Sequence, residues 1–316
     1  MTRFYLILTP LLFFFVSFGQ IKIHHSPETN ESIIKVTLLG TGTPQPLIER
    51  FGPATLVQAG TTVLLFDAGR GCLQRLRQLK IEYDSLDALF LTHLHSDHIV
   101  GLVDLWLTGW LITKRKTPLN VFGPIGTKQM TDYLQKAYAF DIKLRIEDDK
   151  APSKGGKLLT ADIKEGVVYE KNGVKVIAFL VDHPPVIPAF GYRIEYAGHS
   201  VVLSGDTRYS ENLIRYAKGT DLLVHDVIIA PDTLSKSDPK YNILAHHTTP
   251  AQACTVFKAV KPKLAVYYHI VRLYGHTPDE IIKLTKLNYS EPFVLGEDLM
   301  SFSISDTVTI KAWGEK

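Results

Sequence analysis

The chain has 316 residues, of which 45% are hydrophobic and 21% are charged, with 17 Pro and 22 Gly. These values exclude collagen-like, low-complexity and disordered chains, because the apolar content suffices for a buried core. The net charge is only +3, from 35 basic and 32 acidic residues, and does not indicate a general nucleic-acid-binding protein. Two Cys provide neither a disulfide framework nor a thiolate metal site, so the 12 His are the more informative residues.

The amino terminus has the pattern of a secretory signal peptide. Arg3 precedes an apolar run at 4–16, and Ser17 and Gly19 are the small residues that a signal peptidase site requires. The alternative is a retained membrane anchor, but this run is shorter than the ~20 residues that a spanning helix needs. We therefore predict a signal peptide cleaved after Gly19, a leader at 20–32, and a secreted or periplasmic protein without a membrane anchor.

The first half of the remaining chain predicts early strands and then alternating helices and strands. Apolar runs bounded by Gly indicate three strands, the last two of which form a hairpin at Gly60. Helical spacing of apolar residues then predicts a short helix, and an unusually apolar stretch with Trp106 and Trp110 predicts a longer one. The predicted strands lie at 33–39, 55–59, 63–66, 88–91 and 120–122, and the predicted helices at 71–80, 97–112 and 127–140.

The second half repeats this alternation. Thr249 is a suitable helix cap because Pro250 follows it in the first turn. The predicted strands lie at 174–181, 190–196, 200–203, 222–224 and 264–268, the predicted helices at 211–218, 250–260 and 278–286, and the last 25 residues alternate like edge strands. Hairpins followed by this alternation predict one domain, 33–316, in which two sheets pack face to face with helices outside.

The most informative stretch is the His-x-His-x-Asp-His run at 93–98, between a predicted strand and a helix. In an extended strand end, His93 and His95 point to one face, and Asp97 and His98 begin the helix that follows. Neutral imidazoles and carboxylates are ligands that suit Zn²⁺ and related divalent ions. Three His and one Asp in six positions therefore predict a metal site rather than a His-rich surface loop.

This run resembles the signature of the metallo-β-lactamase superfamily, whose fold is an α/β (α+β) sandwich with αββα layers and two mixed sheets. Three later strand ends match the family in order, with His183 as the third metal-binding His, Asp206 as the bridging carboxylate and His269 as the last His. The resemblance implies two divalent metal ions, with Zn²⁺ expected and Mn²⁺ or Fe left open. One ion would be held by His93, His95 and His183, and the second by Asp97, His98 and His269, with Asp206 bridging both.

Further motifs are similar to those of the tRNA 3′-processing endonucleases (ribonuclease Z) and of the zinc-dependent arylsulfatase- and alkylsulfatase-type hydrolases. They lie at 39–44, 50–53, 66–71, 191–193 and 247–253. The resemblance implies that His247 donates a proton to the leaving group and that Asp67 orients a ligand imidazole. Asp226 stands where the nucleases have Glu and is one methylene shorter. The predicted catalytic residues are Asp97, His247, Asp67 and Asp226.

Two features argue against tRNA as the substrate. Only 22 residues separate His183 from Asp206, where the nucleases commonly carry an arm that grips tRNA. A secreted enzyme also does not meet precursor tRNA. We therefore predict an exported dinuclear-metal hydrolase that cleaves a small sulfate ester or a phosphodiester with a metal-bound hydroxide.

Other functions remain open on the same residues. A ribonuclease Z-type endoribonuclease without the usual arm is one alternative, and a lactonase or thioesterase is another. A metal-binding protein with a dead site is the alternative outside enzymes. The expected partner is a small-molecule ester, and a homodimer is an option because relatives are commonly dimers.

Overall fold

The computed structural model describes residues 34–315. The predicted signal peptide at 1–19 and the leader at 20–32 lie outside the described residues, so both remain predictions. Within 34–315, no helix has both the length and the apolar character needed to cross a membrane.

The strands and helices of the described chain follow closely the order that the sequence predicts. The strands are β1 (Ile34–Gly40), β2 (Ala54–Ala59), β3 (Thr62–Phe66), β4 (Ala88–Phe90), β5 (Leu119–Gly123), β6 (Leu158–Asp162), β7 (Gly166–Lys171), β8 (Val174–Val181), β9 (Ala189–Tyr196), β10 (His199–Leu203), β11 (Leu222–Ile229), β12 (Leu264–Arg272), β13 (Phe293–Leu295), β14 (Ser301–Ile304) and β15 (Val308–Lys311). The helices are α1 (Cys72–Gln78), α2 (Ser96–Ile99), α3 (Leu102–Thr113), α4 (Thr127–Ala137), α5 (Ala139–Glu147), α6 (Glu211–Ala217), α7 (Tyr241–His246), α8 (Pro250–Val260) and α9 (Pro278–Lys286).

These strands form two mixed sheets. The first has eight strands in the order β15-β14-β1-β2-β3-β4-β5-β6, and the second has seven in the order β13-β12-β11-β10-β9-β8-β7. Pairing is parallel from β3 to β6 and from β10 to β13, and antiparallel elsewhere. The predicted architecture of two mixed sheets is therefore confirmed.

The hydrophobic core has three main layers, which show how the sheets and helices stack. The inner faces of both sheets share one core, in which Phe66 and Phe90 of the first sheet pack on Tyr192 of the second at ring-centroid distances of 5.2 and 5.6 Å. A second core lies between the first sheet and α1 and α3, and a third between the second sheet and α6 and α8. Helices therefore cover both outer faces, which makes the four-layer αββα arrangement.

Several elements differ from the sequence prediction for identifiable reasons. The predicted helix at 97–112 is divided at Gly101, whose N–H donates to the carbonyl of Ala68 at 2.8 Å and whose missing Cβ leaves room for the carbonyl of Gly69. The strands β6 and β7 were not predicted, because each is short and has a brief apolar stretch next to polar residues, without regular alternation. The short helix α7 was not predicted either, because six residues carry too little periodicity to detect.

Candidate metal centre

The predicted ligand residues meet at one edge of the sandwich because the strands that carry them run in the same direction. His93 and His95 follow β4, His183 follows β8, and Asp206 follows β10. Strands β8 and β10 are both antiparallel to β9, so their carboxyl ends lie together. In sheets of this kind, residues after the carboxyl ends of parallel strands converge on a common site.

A first group of ligand atoms surrounds a single point. His93 Nε2 and His183 Nε2 lie 2.9 and 3.3 Å from His95 Nδ1, and Asp206 Oδ2 lies 3.9 Å from His93 Nε2. All four ligand atoms lie within 4.8 Å of one another. This grouping is the one that the resemblance implies for the first ion.

A second group lies on the other side of Asp206. Asp97 Oδ2 is 3.7 Å from His98 Nε2 and 3.2 Å from His269 Nε2. Asp206 Oδ2 is 3.3 Å from each of the same two imidazole nitrogens. Asp206 therefore lies between the two groups, as a bridging carboxylate would.

The unpaired polar atoms of this cluster test whether the residues fit a metal centre. Among the described residues, His98 Nε2, Asp206 Oδ1 and His269 Nδ1 are buried without a hydrogen-bond partner. Buried polar atoms are normally satisfied, and several imidazole nitrogens that face one another at these distances need a shared cation. The His and Asp cluster thus fits a dinuclear divalent metal site.

The protonation of the first group also suits metal binding. Burial lowers the pKa of His95 and His183, and lowers the pKa of His93 well below its ordinary value. These imidazoles are therefore neutral at neutral pH, which is the form that coordinates a metal.

The second group is more strongly charged. Burial opposes the charge on His98, yet Asp206 and Asp67 raise its pKa well above the ordinary value. Burial likewise opposes ionisation of Asp206, but His269 and His98 hold its pKa well below the ordinary value. The structure therefore maintains an ionised carboxylate at the centre of the cluster.

Asp67 supports the cluster from behind. Its Oδ2 accepts a hydrogen bond from His98 Nδ1 at 2.7 Å, and its Oδ1 accepts one from the Thr92 N–H at 2.8 Å. This contact fixes the tautomer of His98 and directs Nε2 toward the other ligand atoms. The backbone of Asp67 has φ 58°, a left-handed conformation that Asp tolerates better than most residues.

His247 and Asp226 form a buried pair beside the ligand residues. His247 Nδ1 donates to Asp226 Oδ2 at 2.9 Å, so the shorter Asp reaches its partner. Burial opposes the charge on His247, but Asp226 raises its pKa. The His247 ring lies 5.3 Å from the rings of both His183 and His269, measured between centroids.

A cavity of about 270 Å³ opens onto the ligand residues. Its lining includes the side chains of the candidate site, namely His95, Asp97, His183, Asp206, His247 and His269. The lining also includes residues that the sequence did not indicate, namely Gln45, Ile243, His246 and Arg272. Ile243 and His246 belong to α7, so only detection of that helix could have revealed them.

The region expected to carry a tRNA-gripping arm contains no such element. Residues 184–205 are described throughout and hold β9, β10 and their connections. The sequence prediction that this chain has no arm between His183 and Asp206 is therefore confirmed.

Comparison with known proteins supports the same family and fold. The family described as beta-lactamase superfamily domain matches residues 62–270. Ribonuclease Z of Mycolicibacterium gilvum is 35% identical over 288 residues, which cover 89% of this chain and 100% of the relative. Ribonuclease Z of Mycobacterium marinum is 34% identical, with 84% of this chain and 97% of the relative covered.

Solved structures share the fold at lower identity. The metallo-beta-lactamase fold protein YhfI from Bacillus subtilis has a TM-score of 0.69 at 19% identity, with 86% of this chain and 100% of that chain covered. The short form of human tRNase Z has a TM-score of 0.60 at 24% identity, with 86% and 98% covered.

Proposed function

The chain belongs to the metallo-β-lactamase superfamily, within its ribonuclease Z branch, and from this premise we propose that it is a phosphodiesterase that cleaves RNA. Membership in the superfamily makes the chain a metal-dependent hydrolase. The His247–Asp226 pair beside the ligand cluster is the observation that carries the finer assignment. A ribose alkoxide is a poor leaving group and needs a proton donor at this position more than a phenolate does.

Two divalent ions, of which Zn²⁺ is our proposal, would neutralise charge on the phosphate oxygens and make water more acidic when bound. His93, His95 and His183 would hold one ion, and Asp97, His98 and His269 the other, with Asp206 shared.

The residues of the chain then have distinct tasks. Water attacks phosphorus, and the bond from phosphorus to the leaving oxygen breaks. Asp97, which faces the cavity, accepts the proton of the attacking water. Asp226 holds His247 at Nδ1, which leaves Nε2 free to give its proton to the departing oxygen. Asp67 keeps His98 oriented throughout.

A phosphodiester receives more support than the sulfate ester that the sequence also suggested. The curated relatives are named ribonuclease Z, and no contact among the described residues favours sulfate over phosphate. The missing arm does not separate this chain from those relatives. Because 288 aligned positions span the whole M. gilvum protein, that protein has no long insertion relative to this chain either.

RNA is therefore the proposed substrate class, in place of the small ester expected from the sequence. Export stays a prediction, since it depends on residues 1–19.

The test is hydrolysis by the full-length chain loaded with Zn²⁺. The substrates are bis-p-nitrophenyl phosphate, p-nitrophenyl sulfate, a precursor tRNA with a 3′ extension and an unstructured RNA of equal length. We expect cleavage of the diester and of RNA, both abolished by a chelator, and much slower cleavage of the sulfate. His95→Ala should remove this activity, and His276→Ala, in a loop outside the cluster, should retain it. Sulfate hydrolysis that exceeds diester hydrolysis would overturn the proposal.

A further inference from the structure

We propose that Ile243, together with Val271 and Leu273, forms an apolar subsite that takes the planar base of the leaving nucleoside. This inference rests on the proposed function and deepens it, because it names the part of the substrate that the cavity recognises. All three side chains line the cavity that contains the ligand residues.

The segment that carries Ile243 is held firmly against the second sheet. We call residues 230–247 the strap. This segment follows β11, includes α7 and ends shortly before α8. Leu244 of the strap packs on a small buried cluster formed by Ile228, Val271 and Leu273. Near the middle of the strap, Asp238 accepts hydrogen bonds from the Tyr274 hydroxyl at 2.7 and 2.8 Å. The wall of the subsite is therefore already formed before any substrate arrives.

Ile243 itself is not used to hold the strap. Its neighbour Leu244 is the residue that joins the buried cluster, whereas Ile243 remains 39% exposed although it is large and apolar. Ile243 lines the catalytic cavity, so part of its exposed surface borders that cavity. An apolar side chain in this position gains most from an apolar group that enters the cavity.

The position of Ile243 assigns the subsite to the leaving group. Ile243 and His246 are three residues apart on α7 and so lie on one face of that helix, and His247 follows the helix directly with an extended backbone. His247 is the proposed proton donor to the leaving oxygen and lines the same cavity. A group bonded to that oxygen would therefore lie against Ile243.

The walls favour a flat, apolar ring. Pro44 is a fourth apolar residue in the lining of this cavity, in addition to Ile243, Val271 and Leu273. A nucleobase has two apolar faces, and its polar edge can remain toward the open side of the cavity. Since His247 suits an alkoxide leaving group, a nucleoside fits the site better than a phenol, and a phenol is treated as the competing occupant in the test.

The experiment measures binding and turnover separately. The binding ligands are uncleavable dinucleotide analogues in which a methylene replaces the leaving oxygen, one with a base on the leaving side and one abasic there. A matched phosphonate pair carries a phenyl or a methyl group instead. Dissociation constants are measured by calorimetry on the Zn²⁺-loaded full-length chain. The kcat/KM is measured for the corresponding cleavable dinucleotides, which keep the leaving oxygen and differ only in whether a base is present on the leaving side.

We expect the wild type to bind the base-bearing analogue about ten-fold more tightly than the abasic one, as for other apolar pockets. Ile243→Ala should remove this preference and Ile243→Leu should keep it. Asn242→Ala is the matched control, because Asn242 is exposed on the same helix and does not line the cavity.

Each remaining outcome has a definite meaning. A preference for phenyl over methyl that depends on Ile243, without a preference for the base, would overturn the nucleobase assignment in favour of an aryl group. Equal binding within both pairs would overturn the subsite altogether. If the chain cleaved no phosphodiester, the proposed function would fail, while the binding measurements on the uncleavable analogues would still decide the subsite.

Discussion

The Nδ1 of His183 donates a hydrogen bond of 3.0 Å to the backbone carbonyl of His246. One end of this contact is a predicted metal ligand, and the other lies on the strap, directly before the proposed proton donor His247. The same contact fixes the tautomer of His183 so that Nε2 faces the other ligand atoms. Ligand geometry and the position of the proton donor are therefore coupled through the backbone of the strap.

This contact predicts that the side chain of His246 is dispensable for metal binding. His246→Ala keeps the carbonyl acceptor, so we expect its Zn²⁺ affinity to stay within about two-fold of the wild type, whereas His183→Ala removes a ligand. The measurement is a chelator competition titration. A large loss of affinity in His246→Ala would mean that the imidazole itself takes part in the site.

Asp226 should affect catalysis and leave the metal in place. Asp226→Asn removes the negative charge that pairs with His247, and we expect the rate on an RNA substrate to fall by about 10²-fold. Zn²⁺ content, measured by elemental analysis, should not change. Asp226→Glu should recover part of the rate, since Glu offers the same carboxylate. An Asn variant that lost its metal would show that the pair has a structural role instead.

Asp67 should affect the metal directly. Asp67→Asn keeps a residue that tolerates the left-handed backbone but weakens the acceptor for His98 Nδ1. Replacing such an outer partner typically lowers metal affinity by about 10–100-fold. Chelator titration measures the affinity, with Asp104→Asn on α3 as a control away from the cluster. Unchanged affinity in Asp67→Asn would contradict this orienting role.

Asp298 should be important for stability, although it is far from the cluster in sequence. Its carboxylate accepts hydrogen bonds from the Thr41 and Phe51 N–H groups and forms an ion pair with Arg75 at 2.8 Å. Its side chain is 4% exposed, so Asp298→Ala leaves buried donors and a cation unpaired, at a cost of about 3–5 kcal/mol.

The measurement for Asp298→Ala is the free energy of unfolding in urea. Asp132→Ala breaks an exposed pair with Lys128 on α4 and should lower the stability by less than about 1 kcal/mol. Similar losses in the two variants would mean that the Asp298 contacts contribute little.

Asp221 should make stability depend on pH. Burial opposes its ionisation, but a hydrogen bond of 2.7 Å from Lys263 and one from the Ser200 N–H lower its pKa below the ordinary value of 3.8. The unfolded chain therefore binds this proton more readily than the folded chain does. The stability that Asp221 contributes is present above pH 3.8 and is lost as the pH falls through the lowered folded pKa.

We expect Asp221→Asn to lower the free energy of unfolding more at pH 6 than at pH 3, measured in urea at both values. Asp232→Asn, in an exposed part of the strap, serves as the control and should show no such difference. An Asp221→Asn effect that is equal at both pH values would exclude the charge as its cause.

The features that were predictable from sequence depend on local patterns. The run at 93–98 has ligand spacing that is visible in six residues, and strand periodicity placed it between β4 and the next helix. Apolar runs located nearly all strands of both sheets. Short elements without a regular apolar pattern, such as β6, β7 and α7, could not be located.

The amino-acid sequence by itself determined the family, the order of the ligand residues and the packing of helices on the outer faces of two sheets, since these depend on residue type and spacing. Only the tertiary structure decided that Asp298 holds the loop at 41–51, that Asp226 reaches His247 despite its shorter side chain, and that α7 supplies one wall of the cavity. These relations join residues up to 257 positions apart. No local pattern records such contacts, because they arise only when the packed sheets bring distant strand ends and loops to the same edge.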